Sequence, residues 1–152
     1  MTALEVLEQA SLFKGFGTNG LSAFAEIARA RRLPPGAQIF MEDAEGDSLF
    51  VVGTGTVRIV QHTGGGTARE IGTIGAGGHL GDLGLLTRTV RLVSAVAATE
   101  CEVVELARRD FFKLAQKKPV TCLKLAAVIA GELARHVGDS RQALRGLALP
   151  KG

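Results

Sequence analysis

The stretch that decides how this chain is interpreted reads IGAGGHLGDLGLL over residues 74–86, and Arg91 follows it. Gly81 and Gly84 have no side chains, so a short helical turn there leaves backbone N–H groups open to an anion. Asp82 lies inside the turn as an acceptor for a hydroxyl group next to that anion. Arg91 follows Asp82 by nine residues, so a returning strand can aim its guanidinium at the same turn, bidentate to a phosphate. Together these residues predict a site for a sugar phosphate with a neighbouring free hydroxyl.

The segments around this stretch have the pattern of a glycine-rich β fold. Thirteen of the 20 glycines lie between Gly36 and Gly84, and residues 62–67 (HTGGGT) predict a flexible hairpin tip. The β-branched and aromatic runs between the glycines lie at residues 38–40, 49–52, 57–61, 70–74, 90–98 and 101–106. Short strands separated by glycine turns, about eight in all, predict an antiparallel sandwich or barrel.

The N-terminal segment is helical in pattern. Thr2 and Glu5 form a capping-box sequence that opens a helix through Gln9. Residues 21–31 predict a second helix, because their apolar side chains recur on one helical face.

The C-terminal segment predicts a short helix over 109–117 and a long helix from about Val120, with a stripe through Leu125, Ile129 and Leu133. Gly138 leaves two interpretations open. Either the long helix ends there and a second helix runs through residue 147, or the helix continues and its glycines let a partner helix come close.

Composition and charge narrow the class of protein. With 152 residues and 15.9 kDa, the whole chain, residues 1–152, is expected to form one domain. Apolar residues make up 46% and charged residues 22%, which is typical of a globular protein. The sequence has no apolar run of the length of a membrane span, about 18 residues, and no secretory signal pattern. Cys101 and Cys122 have the pattern of reduced core thiols, so we expect a cytoplasmic protein.

The formal charge is −4 over residues 1–106 and +7 over 107–152. This uneven distribution favours a solvated helical face over a nucleic-acid surface.

Other motifs are weaker. Residues 15–20 (GFGTNG) match the dinucleotide fingerprint, but a helical rather than a strand pattern precedes them. The acidic residues of 42–47 are interpreted as an ordinary loop, because their glycine is misplaced for a calcium loop. His62, His79 and His136 are too dispersed for a metal triad, so we expect no metal site.

The motifs resemble, in order and in spacing, the cyclic nucleotide-binding domain family, the sensor module of catabolite activator proteins, cyclic-nucleotide kinases and gated channels. Its cassette, roughly F-G-E-x-[AS]-L-L-x-x-x-x-R-[STA], aligns without a gap with LGDLGLLTRTVRL at residues 80–92. Family markers also occur at residues 12–13, 35–40, 46–50, 55–57, 101–106 and 109–114. The resemblance covers about residues 10–137. It implies a mainly β fold with flanking helices, an antiparallel double-stranded β-helix (jelly roll) over about 33–107. N-terminal helices precede this roll, and hinge and lid helices follow over about 109–147.

The resemblance also implies the ligand site. The residues assigned to the ligand are Gly81, Asp82, Leu83, Gly84, Arg91 and Leu92. Backbone amides around Leu83 and Gly84 and the Arg91 guanidinium would hold the cyclic phosphate, while Asp82 would accept a hydrogen bond from the ribose 2′-hydroxyl. His136 or Val137 of the last helix would approach the purine.

Two departures from the family pattern bear on affinity and specificity. Asp82 replaces a glutamate and is one methylene shorter, so its bond to the hydroxyl is expected to lengthen or to need a water. Leu92 replaces a small or hydroxyl residue, and its bulk is expected to crowd the pocket. A hydroxyl at this position favours guanine in the family, so its absence favours cAMP over cGMP as the ligand.

The expected function is that of a regulatory sensor, not an enzyme. The nucleotide binds in the roll, and the C-terminal helix then swings to cover the base. We expect an effector protein of unknown identity as a partner, a homodimer through the C-terminal helix, and no direct contact with DNA or membrane. Removal of Arg91 is expected to abolish binding with little loss of fold, on the premise that this arginine is exposed. Two alternatives stay open: a degenerate roll that acts as an interaction or dimerisation module, and a metal-dependent enzyme built on the same roll, which would need two or three histidines and a carboxylate.

Overall fold

A computed structural model describes residues 1–148, and within them the side chains of all but Thr63, Val137 and residues 140–148. The helices are α1 (Ala3–Gln9), α2 (Thr18–Ile27), α3 (Asp82–Leu86), α4 (Arg108–Lys117) and α5 (Pro119–Ala148). The strands are β1 (Arg29–Leu33), β2 (Gln38–Phe40), β3 (Glu45–Gly46), β4 (Ser48–Thr54), β5 (Val57–Thr63), β6 (Thr67–Ile74), β7 (His79–Leu80), β8 (Thr89–Val90), β9 (Ser94–Ala97) and β10 (Cys101–Ala107).

The strands form an antiparallel roll. One sheet has the order β1-β10-β4-β7, a second has β2-β9-β5-β6, and β3 pairs with β8. All of these pairings are antiparallel. The mainly β class, the jelly roll and the flanking helices are therefore confirmed.

Two hydrophobic clusters lie on opposite faces of the first sheet. Side chains such as Phe50, Val52 and Val103 point into the roll. Val51 and Val104, one residue along their strands from Val52 and Val103, point outward and pack against the helices. Because β4 is covered on both faces, its first six residues are all buried, which explains why it is a continuous apolar run rather than an alternating one.

The N-terminal prediction is correct for the first helix and wrong for the end of the second. The Thr2–Glu5 capping box is present and α1 ends at Gln9. The second helix ends at Ile27, and residues 29–33 form an edge strand paired with β10. Arg31 lies 3.5 Å from Glu105 of β10, so pairing with a distant strand overrides the local helical pattern.

The predicted strand over residues 90–98 is divided into β8 and β9. Arg91 lies in the gap, where its backbone N–H donates to the Ala44 carbonyl at 2.8 Å. This interruption turns the arginine side chain toward the interior.

From Pro119 onward the chain forms one long helix rather than two, so of the two interpretations left open at Gly138 the continuous one is correct. Pro119 begins α5, where its missing N–H costs nothing, and the helix runs past Gly138 to Ala148. Cys122, Leu125 and Ile129 form its buried face. Cys101 is also buried, and both thiols are free. Within the part of the chain that the structure describes, the helices lack the combination of length and apolar character that a membrane span requires.

Candidate functional site

The site is built on the turn between β7 and α3. Leu80 is buried and pairs with Phe50 of β4, which anchors the strand end. Gly81 follows with φ 81° and is the N-cap residue of α3, which begins at Asp82. Leu85 is fully buried among the helices and holds α3 against the core. The first two amides of the helix, those of Asp82 and Leu83, are thus held on a fixed base and have no intrahelical acceptor.

Arg91 is buried beneath this turn, with 6% of its surface exposed. One terminal nitrogen, Nη2, donates to the Ser48 carbonyl at 2.8 Å, and Nη1 donates to the Gly81 carbonyl at 3.4 Å. The guanidinium carbon lies 4.3 Å from the centre of the Phe40 ring. The premise that Arg91 is exposed is therefore wrong, and removal of this side chain also removes structural contacts.

The charge of Arg91 has no close counter-ion among the described residues, where it forms no ion pair. Its Nε is buried and has no hydrogen-bond partner. Burial lowers the pKa of Arg91, and the more distant charges of Asp47 and Glu105 oppose that shift. A buried cation with a free donor and no adjacent carboxylate is what an anion-binding site requires.

Three glycines make room for the guanidinium. A Cβ atom at Gly46 would lie 2.8 Å from Nε, and one at Gly81 would lie 2.6 Å from Nη1. At Gly84 a Cβ would lie 3.1 Å from Nη1 and from the Gly46 carbonyl. A side chain at any of these positions would crowd Arg91, and at Gly81 it would also have to adopt the left-handed backbone.

The turn and Arg91 open onto one cavity of about 350 Å³, which is within the range of small-ligand sites. Its lining residues are Phe40, Gly81, Asp82, Leu83, Gly84, Thr89, Val90, Arg91, Leu92, Val93 and Leu133. All six residues assigned to the ligand therefore line the same cavity, and their role in binding stays a prediction. Leu92 is 80% exposed, so its side chain lies at the rim of the cavity. The expectation that its bulk crowds the pocket is therefore wrong.

The predicted base contact on the last helix falls elsewhere. His136 is exposed and lines a different depression, together with His79 and Glu132. Leu133, about one turn earlier on α5, reaches the cavity instead. The side chain of Val137 lies outside the described residues. The continuous course of α5 brings position 133 rather than 136 to the cavity.

One of the predicted phosphate amides is already bonded within the turn. The Gly84 N–H donates to the Gly81 carbonyl at 3.1 Å. The amides of Asp82 and Leu83, the first two of α3, are the open ones.

Asp82 belongs to a cluster that sequence spacing did not reveal. Its Oδ1 lies 2.7 Å from His79 Nδ1, and His79 Nε2 lies 3.1 Å from Glu132 Oε2 on α5. Burial lowers the pKa of His79, but the hydrogen bonds and charges of Asp82 and Glu132 outweigh it, so the pKa is raised overall. This grouping has one histidine, fewer than the metal-dependent alternative needs. The three-residue spacing of His79 and Asp82 could have predicted their contact. The contact with Glu132 could not be predicted in this way, because Glu132 is 50 residues away from Asp82.

Arg108 at the start of α4 is a second residue that sequence reasoning missed. Its Nη1 donates to the carbonyls of Gly46, Gly84 and Thr87 at 3.1, 3.2 and 2.8 Å. The hinge helix is thus bonded directly to the turn that forms the site.

Comparisons with known proteins identify relatives of this chain in sequence and in fold. Residues 30–118 match the family described as the cyclic nucleotide-binding domain. The chain is similar to the Cyclic AMP receptor protein of Thermus thermophilus, with 31% identity over 122 residues, 80% of this chain and 56% of the receptor. It is also similar to the cGMP-dependent protein kinase egl-4 of Caenorhabditis elegans, with 30% identity over 73% of this chain and 14% of the kinase.

The fold is similar to the crystal structure of the Thermus thermophilus Catabolite Activator Protein, with a TM-score of 0.78 and 29% identity over 90% of this chain and 62% of that chain. The chain thus spans little more than half the length of the receptor it matches and a small part of the kinase.

Proposed function

Because the chain belongs to the cyclic nucleotide-binding domain family, we propose that it is a regulatory sensor module that binds cAMP in the cavity beside Arg91. The roll, the hinge helix and α5 would act as one domain, and the long helix would transmit the response. The relatives' names point to both cAMP and cGMP, so the test includes both nucleotides.

The observation that carries this proposal is the buried guanidinium of Arg91, which forms no ion pair with any described residue. An isolated buried charge is unfavourable unless a counter-charge and hydrogen bonds offset its lost hydration. A cyclic phosphate supplies one negative charge and several acceptor oxygens beside the open amides of Asp82 and Leu83. The residues present therefore fit the ligand.

The remaining parts of the nucleotide have matching surroundings. The second oxygen of the Asp82 carboxylate is the acceptor proposed for the ribose 2′-hydroxyl, since Oδ1 faces His79. Val90, Val93 and Leu133 offer an apolar wall for a purine. Leu92 provides no side-chain hydroxyl for guanine, which supports cAMP over cGMP.

The position of Leu133 in the cavity wall supports the proposal that the signal passes through α5. A ligand that contacts Leu133 binds one placement of α5 better than others, and this differential affinity shifts the helix. The effector that reads this shift is a protein partner of unknown identity, and no direct contact with DNA is proposed.

The test is calorimetric titration of the purified chain with cAMP and cGMP, for wild type and Arg91→Gln. Each charge-assisted hydrogen bond is worth about 1.5–3 kcal/mol, so loss of two should weaken cAMP binding by about 100-fold or more. Arg88→Gln is the matched control, because it removes the same charge at a position three residues before Arg91. The side chain of Arg88 is 83% exposed. We expect its affinity to stay within about threefold of wild type.

Circular dichroism and thermal melting establish that each variant is folded, since Arg91 also bonds Ser48 and Gly81. Equal cAMP affinity in wild type and folded Arg91→Gln would remove the basis of the proposal. If Arg91→Gln does not fold, Arg91→Lys keeps the charge but loses the planar fork of donors, and it should bind cAMP more weakly than wild type.

A second candidate function rests on exposed apolar side chains of α4 and α5. Phe112, Val120 and Leu123 are 50%, 79% and 70% exposed, and such a surface suits a protein partner or a second copy of the chain. Absence of heat with both nucleotides, together with a dimer in sedimentation that Leu123→Glu dissociates, would favour this interaction module.

A further inference from the structure

His79 connects the candidate ligand site to the long helix. Its strand, β7, lies directly before the turn, and its ring is 14% exposed, as is the side chain of Asp82. The two ring nitrogens contact carboxylates of different elements, Asp82 on α3 and Glu132 on α5. Glu132 is next to Leu133, which lines the ligand cavity. Adjacent residues of α5 therefore reach the cavity and the histidine.

We propose that His79, by donating hydrogen bonds to Asp82 and Glu132 together, is a positioning residue that fixes the ribose acceptor and ties α5 to the ligand site. This inference rests on the proposed function and adds a regulation to the same site. It makes ligand affinity and the docking of α5 depend on the protonation of one imidazole.

The number of donors on the ring explains why protonation matters. A neutral imidazole carries one N–H, whereas an imidazolium carries two. Contacts with two carboxylates, at 2.7 and 3.1 Å, are both hydrogen bonds only when His79 is protonated. When the ring loses a proton, one nitrogen lone pair faces a carboxylate, and that contact becomes repulsive.

The other charged groups near His79 come from α5. Arg135, His136 and Asp139 line the same depression as His79 and Glu132. The other residues that share it, including Ser11, Thr73 and Ile74, carry no charge. Asp82 and Glu132 are the carboxylates in direct contact, and the raised pKa of His79 agrees with their influence.

The direction of the pH effect follows from this raised pKa. The contribution of His79 to stability is complete below the unfolded-state value, about 6.5, and is lost as the pH rises through the folded value. With the tie broken, Asp82 and α5 are no longer held in place for the ligand. We therefore expect cAMP affinity to fall by about fivefold over this pH range, the effect of one hydrogen bond.

Four variants distinguish the contact of His79 with Asp82 from its contact with Glu132. His79→Asn keeps a donor near the Nδ1 position for Asp82, and His79→Gln keeps one near the Nε2 position for Glu132. Glu132→Gln removes the α5 carboxylate at nearly constant shape. His136→Gln is the matched control, since it removes a histidine of the same depression that does not contact the two carboxylates.

The first measurement needs no ligand. The ring titration of His79, followed by NMR in buffer with EDTA, should move to lower pH in Glu132→Gln and stay unchanged in His136→Gln. An unchanged His79 titration in Glu132→Gln would show that the tie is absent in solution and would overturn the proposal.

The second measurement is cAMP affinity between pH 6 and pH 9. The affinity of wild type and His136→Gln should fall as the pH rises, while both His79 variants should give a flat profile. His79→Asn should bind more tightly than His79→Gln, because it keeps the donor to Asp82. A slope that persists in both His79 variants would overturn the coupling to ligand.

The two measurements distinguish this inference from the function on which it rests. If cAMP fails to bind at every pH, the proposed function is wrong and the coupling to ligand is overturned with it. The NMR titration then still decides whether His79 ties α5 to the turn.

Discussion

The hairpin tip between β5 and β6 and the turn that begins α3 are both rich in glycine, yet their surroundings are opposite. Gly64, Gly65 and Gly66 have no atom within 4 Å of the place a Cβ would take. Gly81 and Gly84 have the Arg91 guanidinium within 2.6 and 3.1 Å of that place. Glycine at the hairpin serves chain reversal alone, whereas glycine at the turn also makes room for a buried cation.

The difference between the two regions is tested most strongly by adding one methyl group to a left-handed glycine in each of them. Gly65→Ala and Gly81→Ala share positive φ values of 92° and 81°, so both lose about 1–2 kcal/mol from backbone strain. Gly81→Ala also displaces Arg91 or the Ser48 carbonyl, which adds about 1–3 kcal/mol. We expect it to lose more unfolding free energy than Gly65→Ala in urea, and to lose at least about tenfold in cAMP affinity. Equal losses in the two variants would mean that the turn is not constrained by Arg91.

A second pair removes backbone strain from the comparison. Gly64 and Gly84 lack positive φ values, so left-handed strain is absent from both, although alanine is also the better helix former at Gly84 in α3. Gly64→Ala should be neutral or slightly stabilising, since alanine restricts the unfolded chain. Gly84→Ala should cost about 1–2 kcal/mol by crowding Arg91, with a several-fold loss of cAMP affinity measured by calorimetry. An affinity equal to wild type in Gly84→Ala would show that Arg91 can move without consequence for the ligand.

The smallest expected effect concerns the aromatic face on which Arg91 rests. Phe40→Leu removes the cation–π contact, worth about 0.5–1 kcal/mol, which corresponds to a two- to fivefold change in affinity if the guanidinium loses its orientation. Ile71→Leu is the control, because Ile71 lies on the hairpin strand β6 and is 46% exposed. Calorimetry should show weaker cAMP binding in Phe40→Leu alone. The same change in both variants would mean that the effect is not specific to the site.

Local sequence was sufficient for the elements whose pattern is repeated within a few residues. The capping box of α1, the short strands β2 and β5, and the turn with Gly81 and Asp82 lie where they were predicted. Their signals are apolar periodicity, cap residues and glycine, all of which act between near neighbours. The sequence also predicted that Arg91 lies next to this turn, because Arg91 follows Asp82 by only nine residues.

The errors occurred where a distant strand or helix decided the outcome. Residues 29–31 continue a helical pattern but pair with β10, which is about 70 residues away. The base contact at His136 or Val137 stays a prediction, although the structure places Leu133 of α5 at the cavity and His136 at a different depression. The buried position of Arg91 depends on its contact with Ser48, and the link between the turn and α5 depends on the contact of His79 with Glu132. In both pairs the two residues are far apart in sequence.

Propensities and spacings within short segments predicted the strands of an antiparallel β fold, the flanking helices and the glycine turn with its arginine, and the family resemblance added the jelly roll. Only folding brings Arg91 into a buried position that has no counter-ion among the described side chains, and only folding brings His79 between the turn and α5. Those properties depend on desolvation and on charges brought together by folding, and both are set by which distant segments come into contact.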